Sequence, residues 1–386
     1  MTLPQPVDNR FVGLEIGRGI AALFITLFYA TGFYEKYFEV SVFGNPFRGG
    51  HAGFEYFFVL AGFFIYSVYA SDIGHPSRLR SFALQRAIHI YPMYWLVVGL
   101  LAAAMFAVPS LGAEKAITPG KALLDLLLIP REGALILPPA WALQREVIFS
   151  VAFGLLLLAP RLGMVVFIVW QAAILMNTIT PFAGNAIAEV ALDITNIGFA
   201  FGMIGAHLVL KDRLPAPRTL ALLGLAGFAA GMTAEWYYVD TVPAGAHVFG
   251  ETLEKTYYNV CAAITIPALA AWEQRSAWRV PRFLVVFGGS SFMLFLISQP
   301  MNSVIVKLLA SPAVKPTLTA ETAYVINMVV VVVAAMILHL VIEKPVLARL
   351  CTALRLRSPS GTASGVMGRG MSGVASGRID KIGADA

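Results

Sequence analysis

Charge is scarce in this sequence. Asp, Glu, Lys and Arg make up 13% of its 386 residues, against 58% hydrophobic residues, whereas a soluble domain is about a quarter charged. With a mean hydropathy of +0.74, the chain cannot cover a water-facing surface. Lipid is its main solvent, and a large soluble domain is excluded. Cysteine is nearly absent too. Cys261 lies in an apolar run and Cys351 in a polar tail, which excludes a disulfide framework and cysteine metal spacing. There is no dinucleotide fingerprint, P-loop or zinc motif, and no repeat of roughly 20–50 residues. The net charge of +6 sits in short clusters between apolar runs, where it orients a membrane protein rather than binding nucleic acid. Met1–Asn9 holds no basic residue and so lacks the n-region of a signal peptide; the first apolar run is expected to stay in the mature protein.

What is present is apolar length. Runs fall at about 13–34, 52–71, 90–108, 140–159, 163–181, 190–210, 219–238, 256–273, 283–306 and 320–342, and a helix needs roughly 20 residues to cross the hydrocarbon. The fold class expected is all-α, a polytopic membrane bundle of about ten transmembrane helices. Residues 121–130 are too short to span and read as a re-entrant or interfacial helix. Residues 1–350 form the membrane domain. The tail 351–386, Gly/Ser-rich from Ser358, cannot bury a core and is expected to be disordered.

Alternate loops carry Arg78, Arg80 and Arg86; Arg161; Lys211, Arg213 and Arg218; and Arg275, Arg279 and Arg282, followed by Lys344, Arg349, Arg355 and Arg357. Loops 182–189 and 239–254 hold no Lys or Arg. The positive-inside rule then places both termini in the cytoplasm, with an even number of spans.

Ionisable side chains inside a span are costly and mark function by default. The first span holds Glu15 and Arg18, three apart on one face. The second opens HAGFEYFFVLAGFFI, with Glu55 at an aromatic helix start and Gly53 and Gly62 permitting close backbone approach. The segment RLRSFALQRAIHIYPMYW gathers Arg86 and His89 on the basic side, either for orientation or as a phosphate-binding patch. In PPAWALQREVIFS, Arg145 and Glu146 are adjacent and diverge, so at least one faces the bundle interior. Trp141 beside them reads as an interfacial belt residue or a substrate platform.

Together these segments resemble the bacterial membrane acyltransferases of the "acyltransferase 3" type. Residues 14–29 are similar to the family's Leu-Asp-x-x-Arg helix, with Glu15 for the Asp and Arg18 matched. Residues 53–65 are similar to its Gly-Val-Asp-x-Phe-Phe-Val-Leu-Ser-Gly segment, and 82–95 to its basic Tyr-Pro-x-Tyr-Trp segment. Residues 141–149 resemble Trp-x-Leu-x-x-Glu-x-x-Phe, with Glu146 matched. Residues 288–300 resemble the late Gly-x-x-Ser-Phe helix, and Glu343-Lys344-Pro345 the closing Glu-x-Pro. Three departures stand out: Tyr29 where the family has a His, His89 for a second Arg, and Ser298 for a late His.

The resemblance implies transfer of an acyl group, expected to be acetyl, from acyl-CoA to a hydroxyl of a cell-surface or lipid-linked saccharide. It implies no bound cofactor or metal, acyl-CoA being a co-substrate. The catalytic place falls on Arg18, Tyr29 and Glu146, donor binding on Arg86 and His89, and supporting roles on Glu15, Glu55, Trp141 and Ser298. The expected location is the bacterial inner membrane, with lipid and the saccharide as partners. A phenol titrates near 10 and an imidazole near 6.5, so Tyr29 is a poor general base at neutral pH. That leaves a second reading open, a catalytically silent relative binding a glycan or lipid carrier or serving an export complex. A transporter fits less well, because no half-helix breaks recur in two halves. His51 and His339, the histidines nearest the bundle, read as structural or interfacial.

Overall fold

The computed structural model describes residues 11–108, 117–241, 247–276 and 280–354. Among the described residues there is no strand, as expected where every backbone N–H and C=O must be satisfied without water. The helices are α1 (Val12–Phe38), α2 (Ala52–Tyr69), α3 (Leu79–Ala107), the short α4 (Pro119–Leu126), α5 (Ala140–Leu158), α6 (Pro160–Ile179) and the short α7 (Ala186–Ala191). They continue as α8 (Ile197–Leu210), α9 (Pro217–Tyr237), α10 (Glu251–Gln274), α11 (Arg282–Gly289), α12 (Ser291–Leu309), α13 (Ala320–Leu338) and α14 (Lys344–Ala353).

Eight helical segments among the described residues are long and apolar enough to cross a membrane. They are built on α1, α2, α3, α5, α6, α9, α12 and α13. The other two apolar stretches of the sequence are α8 and α10. The first is apolar but short, Ile194–Leu210 with its leading turn. The second is 24 residues long and carries Glu251, Glu254, Lys255 and Glu273, which lower its hydropathy. The chain is a polytopic helical bundle, and all ten stretches are helical.

Several boundaries differ from the sequence reading. Helix α3 starts at Leu79, not near 90, and runs through Pro92; Arg80, Arg86 and His89 are therefore helix residues rather than loop residues. A bundle tolerates such a proline because neighbouring groups satisfy the carbonyl it frees. The stretch 283–306 is two helices, α11 and α12, that meet at Ser290. At that break the chain is pressed on α1: a Cβ on Gly288 would stand 2.4 Å from the Glu15 carbonyl oxygen. The last span passes through a π-helical turn, His339–Glu343, into α14, where Cys351 is buried. Residues 351–353 are thus helical and not part of the tail. The remainder of the expected tail, residues 355–386, lies outside the described residues.

Helix α2 sits at the centre, touching α1, α8 and α10. Its glycines make that possible. A Cβ on Gly53 would come within 2.4 Å of the Ala21 carbonyl oxygen on α1, and one on Gly62 within 2.2 Å of the Phe199 carbonyl oxygen on α8. Gly202 of α8 returns the contact, its Cβ position lying 2.0 Å from the Val59 carbonyl oxygen. Small residues let backbones meet where lipid supplies no hydrophobic drive between helices. Elsewhere polar side chains join the spans: Asn302 of α12 donates to the Thr26 carbonyl oxygen at 3.1 Å and accepts from Asn327 of α13 at 3.1 Å. The outer apolar faces, such as Val329, Val333 and Ile337 of α13, are exposed and suit lipid.

Candidate active site

Four side chains of the expected site come from three helices and lie inside the bundle, two of them in direct contact. Arg86 of α3 pairs with Glu146 of α5, and its Nε donates to Ser150 Oγ at 3.2 Å. Ser150 is fixed in turn by donating to the Glu146 carbonyl oxygen at 2.7 Å. One turn along α3, the His89 ring stacks on Phe292 of α12 with centroids 5.6 Å apart, within electrostatic range of Arg86, Glu146 and Arg18. Arg18 of α1 reaches across to the Gly288 carbonyl oxygen at 3.5 Å. Its Nε is buried with no hydrogen-bond partner among the described residues. Two basic groups and one carboxylate thus share a polar interior, with one donor of Arg18 unused.

Arg86 is here a half-buried helix residue tied to a carboxylate, not an open basic loop. An incoming phosphate must compete with Glu146 for its guanidinium. The local Glu15–Arg18 pair that helical spacing allows does not form among the described residues. Glu15 instead lies where α1 crosses α11.

Tyr29 lies further along α1 in aromatic surroundings, its ring 5.6 Å from Phe28 and 6.4 Å from Phe54, and its side chain also meets Trp141. It is an interior residue and does not touch the Arg86–Glu146 pair directly. About 16 Å of helix separates it from Arg18, at 1.5 Å per residue, and three turns plus ~20° keep the two on one face. Trp141 packs inward as well, 4.6 Å from Phe54, and carries the Arg145 guanidinium 4.3 Å above its ring. A cation over an indole face is an attractive geometry; the belt reading of Trp141 gives way to an interior one.

Both of the adjacent charges on α5 find partners. Glu146 takes Arg86, and Arg145 reaches Asp193 Oδ2 at 2.8 Å. The same oxygen accepts from Lys255 of α10 at 3.0 Å. Glu55 of α2 is buried, and its Oε2 has no hydrogen-bond partner among the described residues. Ser298 is buried and donates to the Phe295 carbonyl oxygen of its own helix at 3.2 Å. It is not drawn into the Arg86 group. His339 pairs with Glu343 at 2.7 Å in the π turn.

A second polar group, at the end of the bundle where α1 finishes and α2 begins, escaped the sequence reading. His51, Glu235, His247, Glu254 and Tyr258 are joined there by short contacts. Glu235 was visible as a lone carboxylate within the apolar run of α9, the kind of residue that marks function inside a span. Its partners lie far apart in sequence and form no motif.

Comparison with known proteins gives the family of the chain. A family model described as an acyltransferase domain matches residues 11–343. Protein 2 in picA locus of Rhizobium radiobacter is 28% identical over 171 residues, which cover 39% of this chain and 85% of that protein. The exopolysaccharide production protein ExoZ of Rhizobium meliloti (strain 1021) is 28% identical over 203 residues, 48% of this chain and 60% of that protein. The latter match thus spans less than two thirds of its relative. No solved structure matches the chain.

Proposed function

The chain belongs to the family of that acyltransferase domain, and from this premise we propose that it moves an acyl group, acetyl in the simplest case, from acyl-CoA to a hydroxyl of a cell-surface or lipid-linked saccharide. The observation that carries the reading is the Arg86–Glu146 ion pair inside the bundle, with His89 one turn along α3, within the span of the matched domain. The saccharide acceptor is suggested by the exopolysaccharide relative's name. A multi-pass protein of the bacterial inner membrane, with both termini cytoplasmic, fits a donor arriving from the cytoplasm.

In this reaction the acceptor oxygen attacks the thioester carbonyl, the C–O bond forms, and the C–S bond breaks to release CoA as thiol. Negative charge develops on the carbonyl oxygen, and a hydrogen-bond donor held in a water-poor interior stabilises it. Arg86, fixed by Glu146 and Ser150, and Arg18, with an unused donor, are the groups suited to the donor's phosphates, Tyr29 lying about 16 Å of helix further along α1. Tyr29 takes the catalytic place on α1. As a neutral phenol it serves as a hydrogen-bond donor rather than as a base.

The second reading, a silent relative that binds a glycan or lipid carrier, is favoured by one observation: Tyr29 stands where the family resemblance calls for a histidine. Acyl-CoA turnover by membranes containing the protein separates the two. Native turnover is expected to be slow, and Tyr29→His to raise it, since a proton-transferring residue contributes about 10²–10⁴-fold. Robust native activity that survives Tyr29→Phe would remove Tyr29 from the reaction. No transfer by either the native protein or Tyr29→His would favour the silent relative.

A further inference from the structure

Where α1 ends and α2 begins, four side chains from four separate segments converge. They are His51 from the turn Arg48–His51, Glu235 from α9, His247 from the segment before α10, and Glu254 from α10. His51 Nε2 stands 3.0 Å from Glu235 Oε2 and 3.5 Å from Glu254 Oε2. His247 Nδ1 contacts that same Glu254 oxygen. The ligating atoms of His51, His247 and Glu254 all lie within 4.8 Å of one another.

The carboxylates are arranged alike. Each gives its Oε1 to a protein donor, Glu235 accepting from Tyr258 Oη at 2.5 Å and Glu254 from the Phe249 N–H at 2.9 Å. Each turns its Oε2 to His51. Tethered outer oxygens and convergent inner ones are how metal-ligating carboxylates are held. Burial sharpens the point, because Glu235 and Glu254 are only 2% and 3% exposed. One helical turn beyond His51, Glu55 adds a third buried carboxylate with an unpartnered oxygen, close enough to interact electrostatically with the His51 ring. Stacking carboxylates inside a bundle is costly unless positive charge joins them.

We propose that His51 Nε2, His247 Nδ1 and Glu254 Oε2 form a binding site for a divalent transition-metal ion of the zinc class, with Glu235 Oε2, 3.0 Å from His51 Nε2, joining as the fourth ligand when the ion enters. Two imidazoles and two carboxylates suit Zn²⁺ and its first-row neighbours, whereas Mg²⁺ and Ca²⁺ prefer oxygen alone. Two carboxylates and two neutral imidazoles around a dication are formally uncharged, which suits a membrane bundle. The site borders the proposed catalytic place: the His51 ring is 5.8 Å from Phe28, whose ring is 5.6 Å from Tyr29. A hydroxyl bound to such an ion gives up its proton more readily than a free one. That consequence rests on the acyltransferase reading; the site does not.

The test uses the full-length protein, purified in detergent with a tag free of histidine, stripped with chelator and reloaded with ZnCl₂. Metal content by mass spectrometry is expected at about one Zn²⁺ per chain, with an X-ray absorption shell of N/O ligands at roughly 2.0–2.1 Å. Zn²⁺, but not Mg²⁺, should raise the melting temperature. His247→Ala and Glu254→Gln should lose the ion while eluting as folded protein, and Tyr258→Phe should weaken binding by about 10–100-fold. If native protein holds no Zn²⁺ above background and its melting temperature does not respond, the cluster is a hydrogen-bonded network and the proposal is wrong. Zn²⁺ retained by a His247→Ala/Glu254→Gln double variant would also overturn it. Neither failure touches acyl transfer, which the turnover assay reads separately.

Discussion

Arg86 and Glu146 form an ion pair between α3 and α5 with about four-fifths or more of each side chain withdrawn from solvent. Removing one partner of a buried pair strands the other charge, at a cost of about 3–5 kcal/mol, whereas replacing both by apolar groups is often neutral. Glu146→Gln and Arg86→Met are therefore each expected to lower the melting temperature in detergent and abolish transfer. The double variant Arg86→Met/Glu146→Leu should recover stability without activity. A double variant that recovers both would make the pair structural only. Of the two charges, Glu146 was legible because an ionisable residue in an apolar run needs a reason, whereas Arg86 read as a residue of a basic loop. Their pairing was not legible: Arg86 and Glu146 lie 60 residues apart, and spacing says only which face of its own helix each occupies. The same limit hid the partners of His51, which as an isolated histidine looked interfacial.

Helix packing rests on a few backbone crossings. Val59 and Phe63 of α2 leave no room at Gly202 of α8, where a Cβ would lie 2.0 Å from one backbone oxygen and 2.6 Å from a backbone nitrogen. Backbone atoms cannot rotate aside, so Gly202→Ala should force the helices apart, with an overpacking cost of about 1–3 kcal/mol. Gly99 on α3 is the control, since a Cβ there meets nothing within 4 Å. Gly99→Ala is expected to be neutral or to stabilise by about 0.5–1 kcal/mol through helix propensity. Thermal unfolding of both variants in one detergent checks the contrast, and equal melting temperatures would refute it. Gly62 could be read from sequence as a place of close approach. Its partner helix, and the fact that Gly202 completes the contact, depend on which spans become neighbours. The early start of α3 was missed for a related reason: Pro92 and the charges before it look like a helix boundary in water, but a bundle supplies partners for both.

The distribution of basic residues bears on the molecule as a whole. The segments joining α2 to α3, α8 to α9 and α10 to α11, and the start of α6, carry them, and the positive-inside rule predicts that this end faces the cytoplasm. A reporter fused after residue 185 should read outside, and one at the C-terminus inside. An outside C-terminus would invert the molecule and remove Arg86 from the donor's side. By itself, the sequence determined that the chain lives in lipid and that its apolar runs are helices, since these follow from local hydrophobicity. The ordered motifs pointed to the family in the same way. Tertiary structure alone decided that Arg86 answers Glu146, that Arg145 answers Asp193, and that His51, Glu235, His247 and Glu254 join one cluster. These depend on which helices are neighbours, and side-chain packing, not local composition, selects neighbours where lipid is as apolar as the helices themselves.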